Sequence, residues 1–148
     1  MNTKEKEIEE IITSQLIKIN SLKNDVESKE IEKQDLFKEI ILGVIDLIDT
    51  FERVEEGLIE RGIDKNEESG KVINRYKSVQ KKTLNLLSKY GVTKLEYPEN
   101  KLIVGFSKVV DTEPDMNRKN DEIISIVRNG YIRGKELIRE AELIVVKN

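Results

Sequence analysis

A chain of 148 residues with 37% charged residues, 5% aromatics and no Trp has too little apolar bulk for one large globular core. Its formal net charge of -3, with basic and acidic residues mixed throughout, gives neither a basic face for nucleic acid nor a polybasic membrane anchor, so a protein partner is expected, with no nucleic acid and no membrane. The absence of Cys and His removes disulfides, thiolate chemistry, Ser-His-Asp and Cys-His arrangements and histidine-ligated zinc, which makes a non-enzyme without metal or cofactor the expectation.

The N-terminus enters charged residues directly, and no stretch approaches the ~20 apolar residues of a membrane span, so the expected location is cytoplasmic. No Pro occurs before Pro98, and the first sixty residues read as one long helix with room for a break. Alternating steps of four and three mark a coiled-coil seam: Ile8, Ile12, Gln15, Ile19, Leu22, Val26, Lys29, Lys33, Leu36, Ile40. Gln15, Lys29 and Lys33 weaken it.

From Ile40 the apolar face widens to two stripes. One runs Ile40, Val44, Leu47, Phe51, Val54, Leu58, and beside it lie Ile41, Ile45 and Ile48. A face that wide needs packing from two sides, as in a helical bundle. Asp46, Asp49 and Glu52 are read as the solvent side of this helix. Gly62 and the polar run Asp64 to Gly70 predict a connection to a second helix carrying Ile73, Tyr76, Val79, Leu86 and Leu87, with Gly91 as its stop. Arg75, Lys77, Lys81 and Lys82 form a basic cluster there, read as its wet face.

A helix of about 58 residues would extend ~85 Å, and its outer half would have no packing partner in its own chain. Two chains side by side answer this, with a parallel dimeric coiled coil leading into a four-helix bundle. The dimerisation residues expected are Ile8, Ile12, Ile19, Leu22, Val26, Leu36, Ile40, Val44, Leu47 and Phe51.

After Gly91 the texture becomes β-prone at Val92 to Tyr97, Leu102 to Val110 and Ile123 to Val127. Asn129-Gly130 predicts a type I′ hairpin turn. Asp111 to Asp121, with Pro114 among Asp and Asn residues, reads as an exposed loop, and the spacing from Asp115 to Glu122 is not that of a calcium site. Lys135 to Lys147 is compatible with a helix or with a strand of two different faces. The expected architecture is α+β and mainly α: a coiled-coil helix over 1–39, a dimeric four-helix-bundle hairpin over 40–90, and a small β-rich head over 91–148.

The tail Ile126-Val127-Arg128-Asn129-Gly130-Tyr131, followed by Leu137-Ile138-Arg139-Glu140-Ala141 and the apolar ending Leu143 to Val146, resembles the GrpE family of nucleotide exchange factors. Ile41-Leu42-Gly43-Val44-Ile45-Asp46 is similar to that family's Leu-Leu-Pro-Val-x-Asp, with Gly43 where the family usually has Pro. The resemblance implies a homodimeric co-chaperone whose head docks on the nucleotide-binding domain of a DnaK-type (70-kDa heat-shock) chaperone and opens it to release ADP. It points to Arg128, Gly130, Tyr131, Arg133, Lys135 and Arg139 for docking, with Tyr131 and Arg139 also suited to packing the head. The rival expectation is a dimeric coiled-coil scaffold without exchange activity.

Overall fold

The computed structural model describes residues 2–148. Helix α1 spans Thr3–Glu60 without interruption. The break for which the sequence left room does not occur, at Gly43 or elsewhere in this span. Glycine costs a helix roughly 1 kcal/mol, yet unlike Pro it keeps its N–H and leaves the preceding turn free of a ring clash.

The chain divides into two compact units, Met1–Ile40 and Ile41–Asn148. In the first, every described residue as far as Leu36 is exposed, seam positions included.

In the second unit the two apolar stripes of α1 have different fates. Ile41, Ile45 and Ile48 are buried, whereas Ile40 of the first unit and Leu47 and Val54 of the second stay exposed. A 3-10 turn at Ile63–Lys65 follows Gly62, whose φ of 66° suits a residue without Cβ. Helix α2 then spans Glu67–Lys89 and starts earlier than the polar run suggested. Asn66 caps it, its side chain accepting from the Glu68 N–H at 3.1 Å, so Glu67 and Glu68 fall in the first turn where negative charge meets the helix dipole. Gly91, at φ 76°, ends it as expected. The Phe51 ring meets Tyr76 edge-on at 4.8 Å, and Glu55 pairs with Lys77 at 2.8 Å, joining α1 to α2.

The remaining residues form two three-stranded sheets. One has the order β1-β4-β5, with β1 Val92–Lys94, β4 Tyr131–Arg133 and β5 Glu136–Arg139, all antiparallel. The other has the order β2-β6-β3, with β2 Ser107–Glu113, β3 Ile123–Arg128 and β6 Ala141–Val146. The central β6 runs parallel to β2 and antiparallel to β3. Ile123, Ala141, Leu143 and Val145 form the core, with Leu95, Tyr97 and Leu102 packed against it.

Three local expectations change. The ambiguous final segment is two strands separated only by Glu140, because Ala141, Leu143 and Val145 find an apolar core on one side. The loop anticipated from Asp111 begins instead after Glu113, since the main chain there pairs with β6. The most instructive change is at Asn129-Gly130, which makes no hairpin: β3 and β4 belong to different sheets. Gly130 is not among the residues with positive φ. A Cβ there would lie 2.5 Å from Leu95 Cδ1 and 2.7 Å from the Ala141 nitrogen, so glycine is required by close approach and not by turn geometry. The tight β4–β5 hairpin turns instead at Gly134, φ 60°.

The collision with Ala141 backbone cannot be relieved by a rotamer change. Gly130→Ala is expected to destabilise the protein by about 3 kcal/mol, while Gly43→Ala, with nothing within 4 Å of its added Cβ, should stabilise it by about 0.5–1 kcal/mol. Urea unfolding of the two variants checks both signs.

Candidate partner-docking site

The six residues singled out for docking lie close in the chain, but they do not form one exposed patch. Lys135 is exposed in the β4–β5 turn, and Arg133 at the end of β4 is half-buried. Arg128, at the end of β3, is 43% exposed. Gly130 is buried, and Tyr131 has no exposed surface at all. The Arg139 side chain, at the end of β5, is 11% exposed and its guanidinium carbon lies 5.3 Å from the Tyr131 ring centroid. Tyr131 and Arg139 therefore act from inside the head, the packing role suited to both.

Sequence reasoning misplaced the residues that grip Arg139 and Arg128. Asp46, Asp49 and Glu52 do not all face solvent. Each three-residue step falls about 60° short of a full turn, so the acidic line drifts around α1 from its open side toward the buried isoleucines. Side-chain exposure follows, at 65% for Asp46 against 15% for Asp49.

Asp49 takes a two-pronged hydrogen bond from Arg139, with Nη1 donating to Oδ2 at 2.7 Å and Nη2 to Oδ1 at 2.9 Å. The same Oδ2 accepts from Arg128 Nε at 3.2 Å. Asp46 Oδ1 accepts from Arg128 Nη2 at 3.1 Å and from Arg139 Nη1 at 3.4 Å. Glu52 pairs with Lys94 at the end of β1 and accepts from Asn129 Nδ2 at 3.0 Å. Arg139 Nη2 also donates to the Asn129 carbonyl at 2.7 Å. One acidic helix face thus holds residues from both sheets. Its sequence signal, three carboxylates spaced by three opposite two arginines in the tail, specified no pairing until the fold brought them together.

Burial alone would raise the Asp49 pKa, but the hydrogen bonds from Arg139 and Arg128 outweigh it and hold the carboxyl below its usual range. Arg128 is held more firmly protonated, chiefly by its hydrogen bond to Asp49. Burial, with Glu52 and Asp49 nearby, pushes the Tyr131 phenol far up, so it remains neutral. Its Oη is buried and, among the described residues, has no hydrogen-bond partner.

Beside the acidic face lies an open cleft of about 510 Å³, lined by Asp46, Asp49, Glu56 and Glu142 together with Arg53 and Arg128. Among the described residues no group of three or more His, Cys, Asp or Glu is placed to hold a metal ion, and no helix is long and apolar enough to cross a membrane.

Of the residues expected at a dimer seam, Ile8, Ile12, Ile19, Leu22, Val26, Leu36, Ile40 and Leu47 are exposed. Val44 and Phe51 are half-buried, Phe51 through its contact with Tyr76.

Two predictions come from this geometry. Tyr131→Phe removes an unpartnered hydroxyl and should leave stability unchanged or raise it by up to about 1 kcal/mol; a loss of more than that in thermal unfolding would mean the hydroxyl has a partner. Asp49→Asn should cost about 2 kcal/mol at neutral pH. Folding lowers the Asp49 pKa, so its contribution is complete above the unfolded carboxylate value of about 4 and is lost as pH falls through the folded value. The stability gap between wild type and Asp49→Asn in urea should therefore narrow below pH of about 4.

A search of curated protein sequences finds no match to the chain. The GrpE family model matches residues 1–147, from the exposed helix through both sheets. The match takes in the tail in which Gly130, Tyr131 and Ile138 are buried, and it spans essentially the whole chain: the protein belongs to the GrpE family.

Proposed function

We propose that this chain is a homodimeric co-chaperone that docks on the nucleotide-binding domain of a DnaK-type chaperone and holds its cleft open, so that ADP leaves. Family membership over residues 1–147 carries the reading and supports a co-chaperone role in general. No catalytic side chain is needed. A protein that binds the open cleft more tightly than the closed one shifts the population by that difference in affinity, and bound nucleotide weakens its grip by the same factor. In this reading Arg133 and Lys135 at the β4–β5 turn, with Arg128, make the contact, while Gly130, Tyr131 and Arg139 shape it from beneath.

The dimer rests on the exposed seam. Heptad assignment puts β-branched Ile12, Ile19, Val26 and Ile40 at a positions and Leu22 and Leu36 at d, the combination that favours two parallel strands. Lys33 occupies an a position and pairs with Glu30 of its own helix at 3.6 Å, leaving the seam less apolar there. In an in-register parallel pair, Lys18 would face Lys23 of the second copy, and Asp25 would face Glu30.

Those like-charged flanks give the dimer an unusual salt response. Raising salt from about 0.05 M to about 0.5 M should tighten it, measured by sedimentation equilibrium, because screening removes repulsion. The exchange reading predicts that the protein accelerates release of a fluorescent ADP analogue from a DnaK-type chaperone. Lys135→Glu should weaken chaperone binding about tenfold, a change of about 1.4 kcal/mol. No acceleration with any DnaK-type chaperone of the host would leave the scaffold reading ahead.

A further inference from the structure

We infer that Asp46, Asp49 and Glu52 form a charged clasp that fixes the orientation of the head on residues 41–60 of α1, making them positioning residues for nucleotide exchange. The inference rests on the exchange reading and deepens it by naming α1 residues outside the proposed docking surface.

The two sheets share no strand pairing, and the chain passes between them three times, through residues 95–106, at Asn129-Gly130 and at Glu140. Asp49 holds one arginine from each: Arg128 closes β3 of the β2-β6-β3 sheet and Arg139 closes β5 of the β1-β4-β5 sheet. Glu52 adds Lys94 at the end of β1 and Asn129 in the link between β3 and β4. Three carboxylates on one helix face thereby pin the head at four places.

The chemistry suits orientation more than adhesion. Two parallel N–H···O bonds between Arg139 and Asp49 fix both the position and the plane of the guanidinium, which apolar packing does not. Arg139 is further aligned by the Asn129 carbonyl and by the Tyr131 ring. Asp46 and Arg128 are substantially exposed, so their pair contributes little to stability. Their value is a second point of attachment beside the first, which prevents rotation about it.

Rigidity of this junction bears directly on exchange. A ligand shifts a conformational equilibrium only by its differential affinity for the two states. A head on a swivel could follow either the open or the closed cleft and would bind both equally. Held at one angle, it fits one of them. Force arriving at Lys135 passes along β5 to Arg139 and from there into α1 through Asp49.

The chain has no native Cys, so Glu60→Cys and Lys108→Cys allow a pair of nitroxide labels to report the helix-to-head distance in full-length protein diluted with unlabelled chains. Wild type should give one narrow distance distribution. Asp49→Asn, and more mildly Asp46→Asn, should broaden it without loss of helicity by circular dichroism, and Asp49→Glu should restore part of the narrowing. With a nucleotide-free DnaK-type chaperone, Asp49→Asn should change affinity less than about threefold, yet lower the maximal acceleration of ADP release at least about tenfold. A distribution that stays narrow in Asp49→Asn overturns the clasp. Broadening with full acceleration overturns its role in exchange, as does a parallel fall in affinity and acceleration, which would mark direct contact or simple unfolding. If the wild type itself accelerates no chaperone, the exchange reading fails and its lever with it, while the label distances still decide whether the clasp orients the head.

Discussion

Asp49 receives an arginine from each of two sheets that have no backbone ladder in common. The hydrogen bonds and ion pairs between α1 and the β-rich part of the chain run through that carboxylate and its neighbours Asp46 and Glu52. An ion pair so placed is valuable only when both partners are held, since removing one leaves the other partly buried and uncompensated. Here the compensation is distributed: Arg139 also donates to the Asn129 carbonyl, Asn129 donates to Glu52, and Glu52 pairs with Lys94. The network reaches β1, β3 and β5 from one helix face, and its polar character makes the junction directional.

The tail that carries the family resemblance is also closely packed. Gly130 lies against Leu95 and the Ala141 backbone, and Tyr131 is wholly buried beneath the Arg139 guanidinium. Ala141, in turn, begins the central strand of the second sheet and belongs to its core. These residues constrain one another through contact, so a change at any of them is felt by the rest. Buried as they are, they leave Arg133, Lys135 and the outer edge of Arg128 to face a partner in the proposed complex.

The helical part poses a different problem. Ile41, Ile45 and Ile48 are buried within the chain, and of the neighbouring stripe its own fold covers Val44 and Phe51 only in part. The neighbouring positions Leu47 and Val54, and the seam residues from Ile8 to Ile40, remain open to water. Burying them against a second copy is the proposed remedy, and the choice of β-branched and leucine side chains along the seam favours two strands over three. In the proposed pair the like charges flanking the seam would oppose association, and the apolar layers would have to outweigh that repulsion.

The long helix, the second helix with its glycine stop, and a β-rich region after Gly91 were legible in the residues, because period and punctuation are local properties. What depended on distant neighbours was not. Asn129-Gly130 has the composition of a tight turn, yet a strand of one sheet ends there and a strand of another begins, and the glycine answers to Ala141 instead. Lys135 to Lys147 offered both helical and extended periods, and only the apolar core formed with Ile123 and Leu95 decided for strands. Asp46, Asp49 and Glu52 looked like a wet helix face, since a sequence gives the spacing of charges along one element but not which arginine will arrive from eighty or ninety residues away. Local periodicity thus determined the elements of this protein. Tertiary structure alone decided which of their polar faces meet, because that depends on distances created only when the chain has folded.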